Sequence, residues 1–531
     1  MDRNRSINEI EDKQKVWDLA VIGGGASGLG VALDALSRGL TVVLVEKSDF
    51  AKGTSSRSTK LLHGGVRYLA QGDVTLVLEA LKERGLIMKN APHVSRKQAF
   101  IIPIYSLWDK LKYGVGLKVY DLMAGNLRIG KSQWLPRKEV VQRIPAIMEE
   151  GLNGGVIYYD GQFDDARLAL NIAQTCSEMG GCVLNYMKVT SLTKDENGII
   201  DGVKLTDQIS QRHHEIKAKA VVNATGVFAD KILQMDNPEA RLSIMPSQGA
   251  HLVLDLSFLG GKDALMIPET SDGRVLFGIP WHGKLVLGTT DTVIKNPTLE
   301  PRALEQEIDF ILNTCAQYLV RKPTRKDVLS VYAGLRPLAA PKEKGAKTKE
   351  ISRSHKVSVA DSHLISIIGG KWTTFRKMGE DTVDALARLK GLQLAKSTSS
   401  KIRIHGYPET TVEEGHLAVY GSDAAGIRYL IEQNPDLGQQ LHQHYPNTKA
   451  EVVWMVKNEM ALKVEDILAR RMRILFLDAQ AAIEMAPAVA KIMREILGLG
   501  EDWEKAEIYA FQQLAEGYLI NQKITILPTS L

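Results

Sequence analysis

Asp18-Leu19-Ala20-Val21-Ile22-Gly23-Gly24-Gly25-Ala26-Ser27-Gly28 opens the stretch that decides the fold, which continues through a helical segment to Val42-Val43-Leu44-Val45-Glu46. Read in order, it is a short apolar strand, a glycine-rich turn, an amphipathic helix and a second strand ending in a carboxylate. In such a unit Gly23 permits the tight turn, Gly25 lets the backbone approach a pyrophosphate, and Gly28 lets the helix pack closely on the strand. The helix N-terminus then presents N–H groups and its positive dipole end to the phosphates. Glu46 lies where a carboxylate accepts hydrogen bonds from ribose hydroxyls; Ser27 within the turn and Lys47 after Glu46 are further cofactor-binding candidates. A lone Gly-x-Gly-x-x-Gly is a weak signal, but all the surrounding parts are present in order, so bound FAD or NAD is expected.

At 531 residues the chain exceeds what one hydrophobic core usually serves, and two or three domains are expected. Apolar and charged fractions of 44% and 24% are those of an ordinary globular protein. Cys176, Cys182 and Cys315 have neither metal-ligand spacing nor a paired framework, which fits a reducing compartment and no metal. The first fifteen residues are polar and carry both signs of charge, unlike a secretory signal. No run of about 18 apolar residues occurs. A cytoplasmic or membrane-peripheral protein is expected, with no nucleic-acid partner. The charge is uneven: the window 104–147 carries a net +5, as much as the whole chain.

The spacing of apolar residues predicts a Ser/Thr/Gly-rich loop from Gly53 to Gly65, helices over Leu76–Met88, Asp164–Cys176 and Asp381–Leu389, and strands at Cys182–Leu184 and Leu364–Gly369. Short alternating segments between Arg241 and Pro341, such as His251–Leu254, Val275–Gly278 and Leu285–Gly288, suggest a strand-rich substrate domain. From about Lys401 the texture becomes helical, after a Ser/Thr/Lys-rich linker from Ala395 to Lys401. The expected domains are a discontinuous cofactor domain (16–95, 160–240 and 342–394), a substrate domain (96–159 and 241–341) and a separate C-terminal helical domain (401–531).

A reductase exchanging electrons with NAD(P)H commonly carries a second glycine-rich βαβ unit, and none is evident. Gly114-Val115-Gly116 lacks a preceding strand, and Gly260-Gly261 lacks a following helix. Strand-turn segments recur instead at Asn223-Ala224-Thr225-Gly226 and Ile368-Gly369-Gly370-Lys371. One extended FAD, held by loops scattered through the first 390 residues, is the better reading.

Thr54-Ser55-Ser56-Arg57-Ser58-Thr59-Lys60-Leu61-Leu62-His63-Gly64-Gly65-Val66-Arg67-Tyr68-Leu69 strongly resembles the flavin-loop signature of FAD-dependent glycerol-3-phosphate dehydrogenases. Further matches fall in family order: Asp164-Asp165-Ala166-Arg167-Leu168, Asn223 to Gly226, Leu287-Gly288-Thr289-Thr290-Asp291, Gly334-Leu335-Arg336-Pro337-Leu338 and Gly369-Gly370-Lys371-Trp372-Thr373-Thr374-Phe375-Arg376. Val464-Glu465-Asp466-Ile467-Leu468-Ala469-Arg470-Arg471 resembles the family's C-terminal domain. The resemblance implies an α/β fold with a Rossmann-like, D-amino-acid-oxidase-like FAD domain. It implies oxidation of sn-glycerol 3-phosphate to dihydroxyacetone phosphate by hydride transfer to FAD, with electrons passed to a membrane quinone. It places Ser27, Glu46, Lys47, Thr54, Ser55, Ser58, Lys60, Leu62, His63, Gly64, Gly65, Val189, Ala224, Thr225, Gly226, Gly370, Lys371, Thr373 and Thr374 at the cofactor. It places Arg67, Tyr68, His251, Arg336, Arg353 and Lys371 at the substrate.

The residue types suit that chemistry. A phosphate dianion in a partly dehydrated pocket needs cationic, preferably forked, donors, as Arg67, Arg336, Arg353 and Lys371 provide. Hydride removal from an alcohol also requires the hydroxyl proton to leave, which calls for a base near C2. His251 is the first candidate and His63 the second, while electrostatic support of the alkoxide by neighbouring cations stays open. N–H groups from Lys371 to Thr374, opening a helix, suit the negative charge of reduced flavin. Lys371 serves either there or at the substrate phosphate. Asp291 reads as a turn cap.

Trp108, Leu111, Val115, Val119 and Leu122 recur at steps of three or four among Lys110, Lys112 and Lys118. That segment suits adsorption to an anionic lipid surface, on the inner face of the cell membrane, or packing on the domain core. A homodimer is admitted. The rival functions are an oxygen-using glycerol-3-phosphate oxidase, an amine or amino-acid oxidase of the same broad fold, and a non-catalytic flavin-binding protein.

Overall fold

The computed structural model describes residues 1–65, 74–106, 129–271, 273–340, 355–409 and 415–520. A six-stranded sheet forms the nucleotide-binding half. Leu19–Ile22 sits at its centre, flanked by Val42–Val45 and then Cys182–Leu184 on one side, and by Val221–Asn223, Ile365–Gly369 and His355–Val359 on the other. All neighbours are parallel except the edge strand His355–Val359, which runs antiparallel. Leu19–Ile22 and Val42–Val45 are buried along their whole length, as expected of parallel strands covered on both faces. The helices Ala26–Ser37, Asp165–Glu178 and Phe375–Lys390 pack in one core with the sheet residues Val21, Leu44, Val183, Val222 and Ile365. Gly30 and Gly379 let two of these helices cross closely: a Cβ on Gly379 would fall 2.1 Å from the Gly30 carbonyl oxygen. The last of the three is longer than its sequence pattern predicts, beginning at Phe375 rather than Asp381.

The second half is a large, mainly antiparallel sheet. Its long strands Ser95–Ile104 and Gly154–Phe163 pair with each other, and Ile244–Asp255 pairs with Ser330–Ala339, Lys284–Gly288 and Thr292–Val293. The parallel pair Ala264–Ile267 with Ser95–Ile104 joins the two groups. Leu61–Leu62, inside the Ser/Thr/Gly-rich loop, pairs with Gln162 and Gly161, so this loop is stitched to the second sheet while starting beside the first.

The C-terminal helices, including Ala479–Leu497 and Glu501–Ala515, do not form a core apart. Their buried residues pack with Val253, Trp281, Val286 and Tyr332 of the large sheet. The segment before them is docked as well. Ser397 and Ser399 donate to the buried Asp34 carboxylate at 2.5 and 2.7 Å, so the predicted linker lies against the helix Ala26–Ser37. Three arginines clamp the tail to the cofactor half: Arg470 and Arg471 bond Asp49 at 2.6 and 2.8 Å, and Arg473 bonds Asp165 at 2.8 Å. Unpaired, buried charges of this kind would be strongly unfavourable, which makes the docking specific. Among the described residues no helix is long and apolar enough to cross a membrane. The basic amphipathic segment around Lys110, Lys112 and Lys118 lies outside them.

Candidate active site

A cavity of about 500 Å³ opens along the carboxyl ends of the parallel strands, where open α/β sheets bind their ligands. Gly23, Gly25 and Ser27 line it at the first turn of the helix. Gly23 has φ +113°, and a Cβ on Gly28 would lie 1.9 Å from the Gly23 carbonyl oxygen, so this turn admits glycine alone at both places. Of the other expected residues, Glu46, Lys47, Thr54, Ser55, Val189, Ala224, Thr225, Gly226, Gly370 and Lys371 also line this cavity. Glu46 accepts from the N–H groups of Gly24 and Ser48 at 2.8 and 3.0 Å, and burial lifts its pKa despite them. A cavity of this size, walled by Gly23, Gly25, Gly226 and Gly370 and bordered by a carboxylate and a helix N-terminus, fits a dinucleotide.

Thr54, Pro337, Gly369, Gly370, Lys371 and Trp372 also border a second cavity of about 310 Å³. Its wall holds His251, Arg336, His63, Ser58, Gly65 and Thr373. Strand register explains the meeting. In the pair Ile244–Asp255 with Ser330–Ala339, Ser247 faces Arg336, Gly249 faces Gly334, and His251 faces Tyr332. Residues two apart share a face, so His251 and Arg336 converge over Gly249. A Cβ on Gly249 would lie 2.4 Å from the Arg336 guanidinium.

His251 is buried, with its ring stacked on Tyr332 at 4.8 Å and 12° and its Nε2 3.0 Å from Thr59 Oγ1. Burial, then the charges of Lys60 and Arg336, hold its pKa well below the ordinary value, so the imidazole is neutral and able to accept a proton. Arg336 is held from behind: its guanidinium donates to Thr289 Oγ1 at 3.0 Å and to the Thr290 carbonyl at 3.1 Å, and approaches Asp291 at 3.4 Å. Asp291 also accepts a very short hydrogen bond from Ser247. Where the sequence suggested a turn cap, these contacts make Asp291 a residue that orients an arginine. The His63 side chain is 40% exposed, lies 3.6 Å from Asp160 and rests against Phe277.

The pattern of similarity matches this geometry. Residues 18–375 match the family model of FAD dependent oxidoreductases, and 362–507 match that of the C-terminal domain of alpha-glycerophosphate oxidase. The chain is 39% identical to a probable mitochondrial glycerol-3-phosphate dehydrogenase of Caenorhabditis elegans, across 96% of this chain and 74% of that one. It is 38% identical to the human mitochondrial glycerol-3-phosphate dehydrogenase, across 92% and 72%. The glycerol-3-phosphate dehydrogenase of Bacillus halodurans, solved with FAD, superposes with a TM-score of 0.78 at 31% identity, covering 97% of both chains. The chain belongs to the FAD-dependent glycerol-3-phosphate dehydrogenase family. L-alpha-glycerophosphate oxidase of Mycoplasma pneumoniae, with a TM-score of 0.56 at 16% identity over 72% of this chain and 97% of that one, shares the fold.

Within this dehydrogenase-family site, several expected residues stand back from the cavities. Lys60 is fully buried and commits its ammonium to Asp165 and the Ser56 carbonyl at 2.8 and 2.7 Å. Its expected place at the cofactor is thus replaced by an internal ion pair, with its pKa pushed down to about 7 by burial and Arg473. Leu62 is a buried strand residue. The Gly64 N–H donates to Asp160 at 3.0 Å. Thr374 closes the turn before helix Phe375–Lys390, its N–H donating to the Lys371 carbonyl at 3.1 Å, and that N–H is therefore already engaged. Arg67, Tyr68 and Arg353 lie outside the described residues. Sequence reasoning gave no role to Tyr332, which stacks on the imidazole, or to the side chain of Trp372, whose indole N–H ties the last turn to the Ser55 carbonyl at 2.8 Å. Neither has a spacing signal, because both act through contacts between distant segments.

Proposed function

We propose that the protein oxidises sn-glycerol 3-phosphate to dihydroxyacetone phosphate at the second cavity and delivers the electrons to a membrane quinone. The observation that carries the substrate reading is the convergence of neutral His251 and the braced Arg336 beside Lys371, where the two cavities meet. Bound FAD supplies a two-electron acceptor for the hydride of C2. Arg336, with Lys371, binds the phosphate, and its fixed fork orients the glycerol chain. His251 takes the C2 hydroxyl proton, which its neutral state allows. Arg67 and Arg353 are assigned to the substrate phosphate on their family motifs.

The proposal includes peripheral attachment to an anionic membrane surface through 104–147, motivated by the charge of that window, and admits a homodimer. The test is anaerobic mixing with sn-glycerol 3-phosphate: flavin absorbance should bleach, whereas glycerol and NADH should act poorly. Faster reoxidation by a quinone analogue than by oxygen supports the dehydrogenase; the reverse makes the protein an oxidase. Rapid bleaching by NADH would remove the substrate reading.

A further inference from the structure

We propose that Asp165 is a positioning residue for the catalytic base, acting through Thr59, and that Arg473 of the C-terminal region completes the arrangement. The inference rests on the reading of His251 as the acceptor of the C2 hydroxyl proton.

Asp165 is fully buried and divides its two oxygens between distant segments. Oδ2 accepts from the Ser58 N–H, the Ser58 hydroxyl and Lys60 Nζ at 3.1, 2.6 and 2.8 Å. Oδ1 accepts from Arg473 Nη2 at 2.8 Å. The same Arg473 nitrogen donates to the Ser56 carbonyl at 2.9 Å, and Lys60 Nζ donates to that carbonyl at 2.7 Å. The backbone is therefore fixed on both sides of Thr59. Its hydroxyl is left facing His251 Nε2 at 3.0 Å. Tyr332, stacked on the other side of the imidazole, donates its own hydroxyl to the Ser58 carbonyl at 3.3 Å. The group bonded to the ring and the group stacked on it are both indexed to Ser58, and Ser58 is indexed to Asp165.

A threonine hydroxyl suits this place because it both donates and accepts. It donates to Nε2 of the neutral ring and, on rotation, accepts from Nε2–H once the ring is protonated. Among the described residues the buried Nδ1 has no partner and Thr59 is the side chain hydrogen-bonded to the ring, so of these residues it is Thr59 that biases where the ring carries its proton. The step is balanced without Thr59 gaining or losing a proton: the proton leaves the C2 hydroxyl for the imidazole, and the hydride with its two electrons leaves C2 for FAD. Arg473 comes from beyond the last cofactor motif, which gives the C-terminal region a part in the site.

The test is a double-mutant cycle on the holoenzyme, read as the rate of anaerobic flavin bleaching at saturating sn-glycerol 3-phosphate. Half-saturation and FAD content are measured alongside. Thr59→Val should slow bleaching about tenfold, the worth of one hydrogen bond made to the reacting group. Half-saturation should stay within about twofold, and Thr59→Ser should restore the rate. Asp165→Asn should slow it about as much, but add less than about twofold in the Thr59→Val background, because a hydroxyl already removed cannot be misplaced. Should Asp165→Asn not fold, Ser58→Ala takes its place in the cycle. A bleached parent with Thr59→Val at the parent rate, or with effects that multiply, overturns the positioning role alone. A parent that does not bleach overturns the substrate reading and this role with it.

Discussion

Gly288 lies directly across the antiparallel pair from His251, and a Cβ on Gly288 would fall 2.4 Å from the imidazole Cδ2. The imidazole is thus boxed by a stacked tyrosine on one side and by the absence of a side chain on another. Gly288→Ala should push the ring off its stack and slow flavin bleaching. His251→Asn should do so by about 10² to 10⁴, the usual loss on removing a general base, with substrate affinity little changed in both. Stopped-flow bleaching at saturating substrate checks this. A near-normal rate for His251→Asn across neutral pH would transfer the proton to His63 or leave the work to the surrounding cations.

Arg336 is anchored by Thr289, Thr290 and Asp291, so its loss and its loosening should differ in degree but not in kind. Arg336→Ala should raise KM by about one to two orders of magnitude while FAD stays bound, since a charge-assisted contact contributes about 1.5 to 3 kcal/mol. Asp291→Asn should raise KM less. Steady-state kinetics with a soluble acceptor, together with FAD stoichiometry, separates this from a structural role: loss of FAD with normal affinity in the remaining holoenzyme would make Arg336 structural.

Acid should weaken the fold through two buried histidines. His93, bonded through Nε2 to Asn171 at 3.2 Å, has its pKa pushed down to about 4 by burial, with Arg167 adding to the effect. His251 is shifted in the same direction. In the unfolded chain both take up a proton near pH 6.5, so below that value the unfolded state binds more protons and is favoured. The stabilisation is whole above about pH 6.5 and declines as the pH falls. For His93 it amounts to about 3 kcal/mol by pH 4. His405, raised by Asp423 and Glu178 against its burial, has the opposite sign and changes only above that window. Urea midpoints measured from pH 7.5 to 4.5 should fall, and His93→Gln should flatten the slope; an unchanged slope would refute the assignment.

Membrane attachment is open to a charge test. Replacing Lys110, Lys112 and Lys118 with Gln should release the protein from anionic vesicles, because each cation near such a surface contributes about 1 kcal/mol. Binding by the parent should weaken with salt, as the Debye length shrinks to about 3 Å at 1 M. Activity with a soluble acceptor should persist while quinone turnover in lipid falls. Equal vesicle binding by the triple variant and the parent would show that these lysines do not hold the protein to the membrane.

The sequence by itself determined the nucleotide-binding unit from Leu19 to Glu46, the cofactor and the family, because those rest on local signals: a strand, a turn that only glycine can make, a helix and an acid at fixed spacing. It also singled out His251 and Arg336, through motifs that keep side chain and neighbours together. Tertiary structure decided what each residue does there. Antiparallel register, set by the pairing of Ile244–Asp255 with Ser330–Ala339, brings residues 85 positions apart onto one face. Lys60 shows the limit of motif reading. It belongs to the flavin-loop signature, yet its ammonium is used inside the protein, because burial demands a partner and Asp165 is the one within reach. The C-terminal region read as a separate helical domain, since helix periodicity reports that one face is apolar but not what covers it. The covering surface proved to be the face of the large sheet that also carries His251 and Tyr332, and the arginines after Asp466 proved to be ties to Asp49 and Asp165. Partners of this kind are chosen by three-dimensional proximity, for which a linear spacing carries no signal.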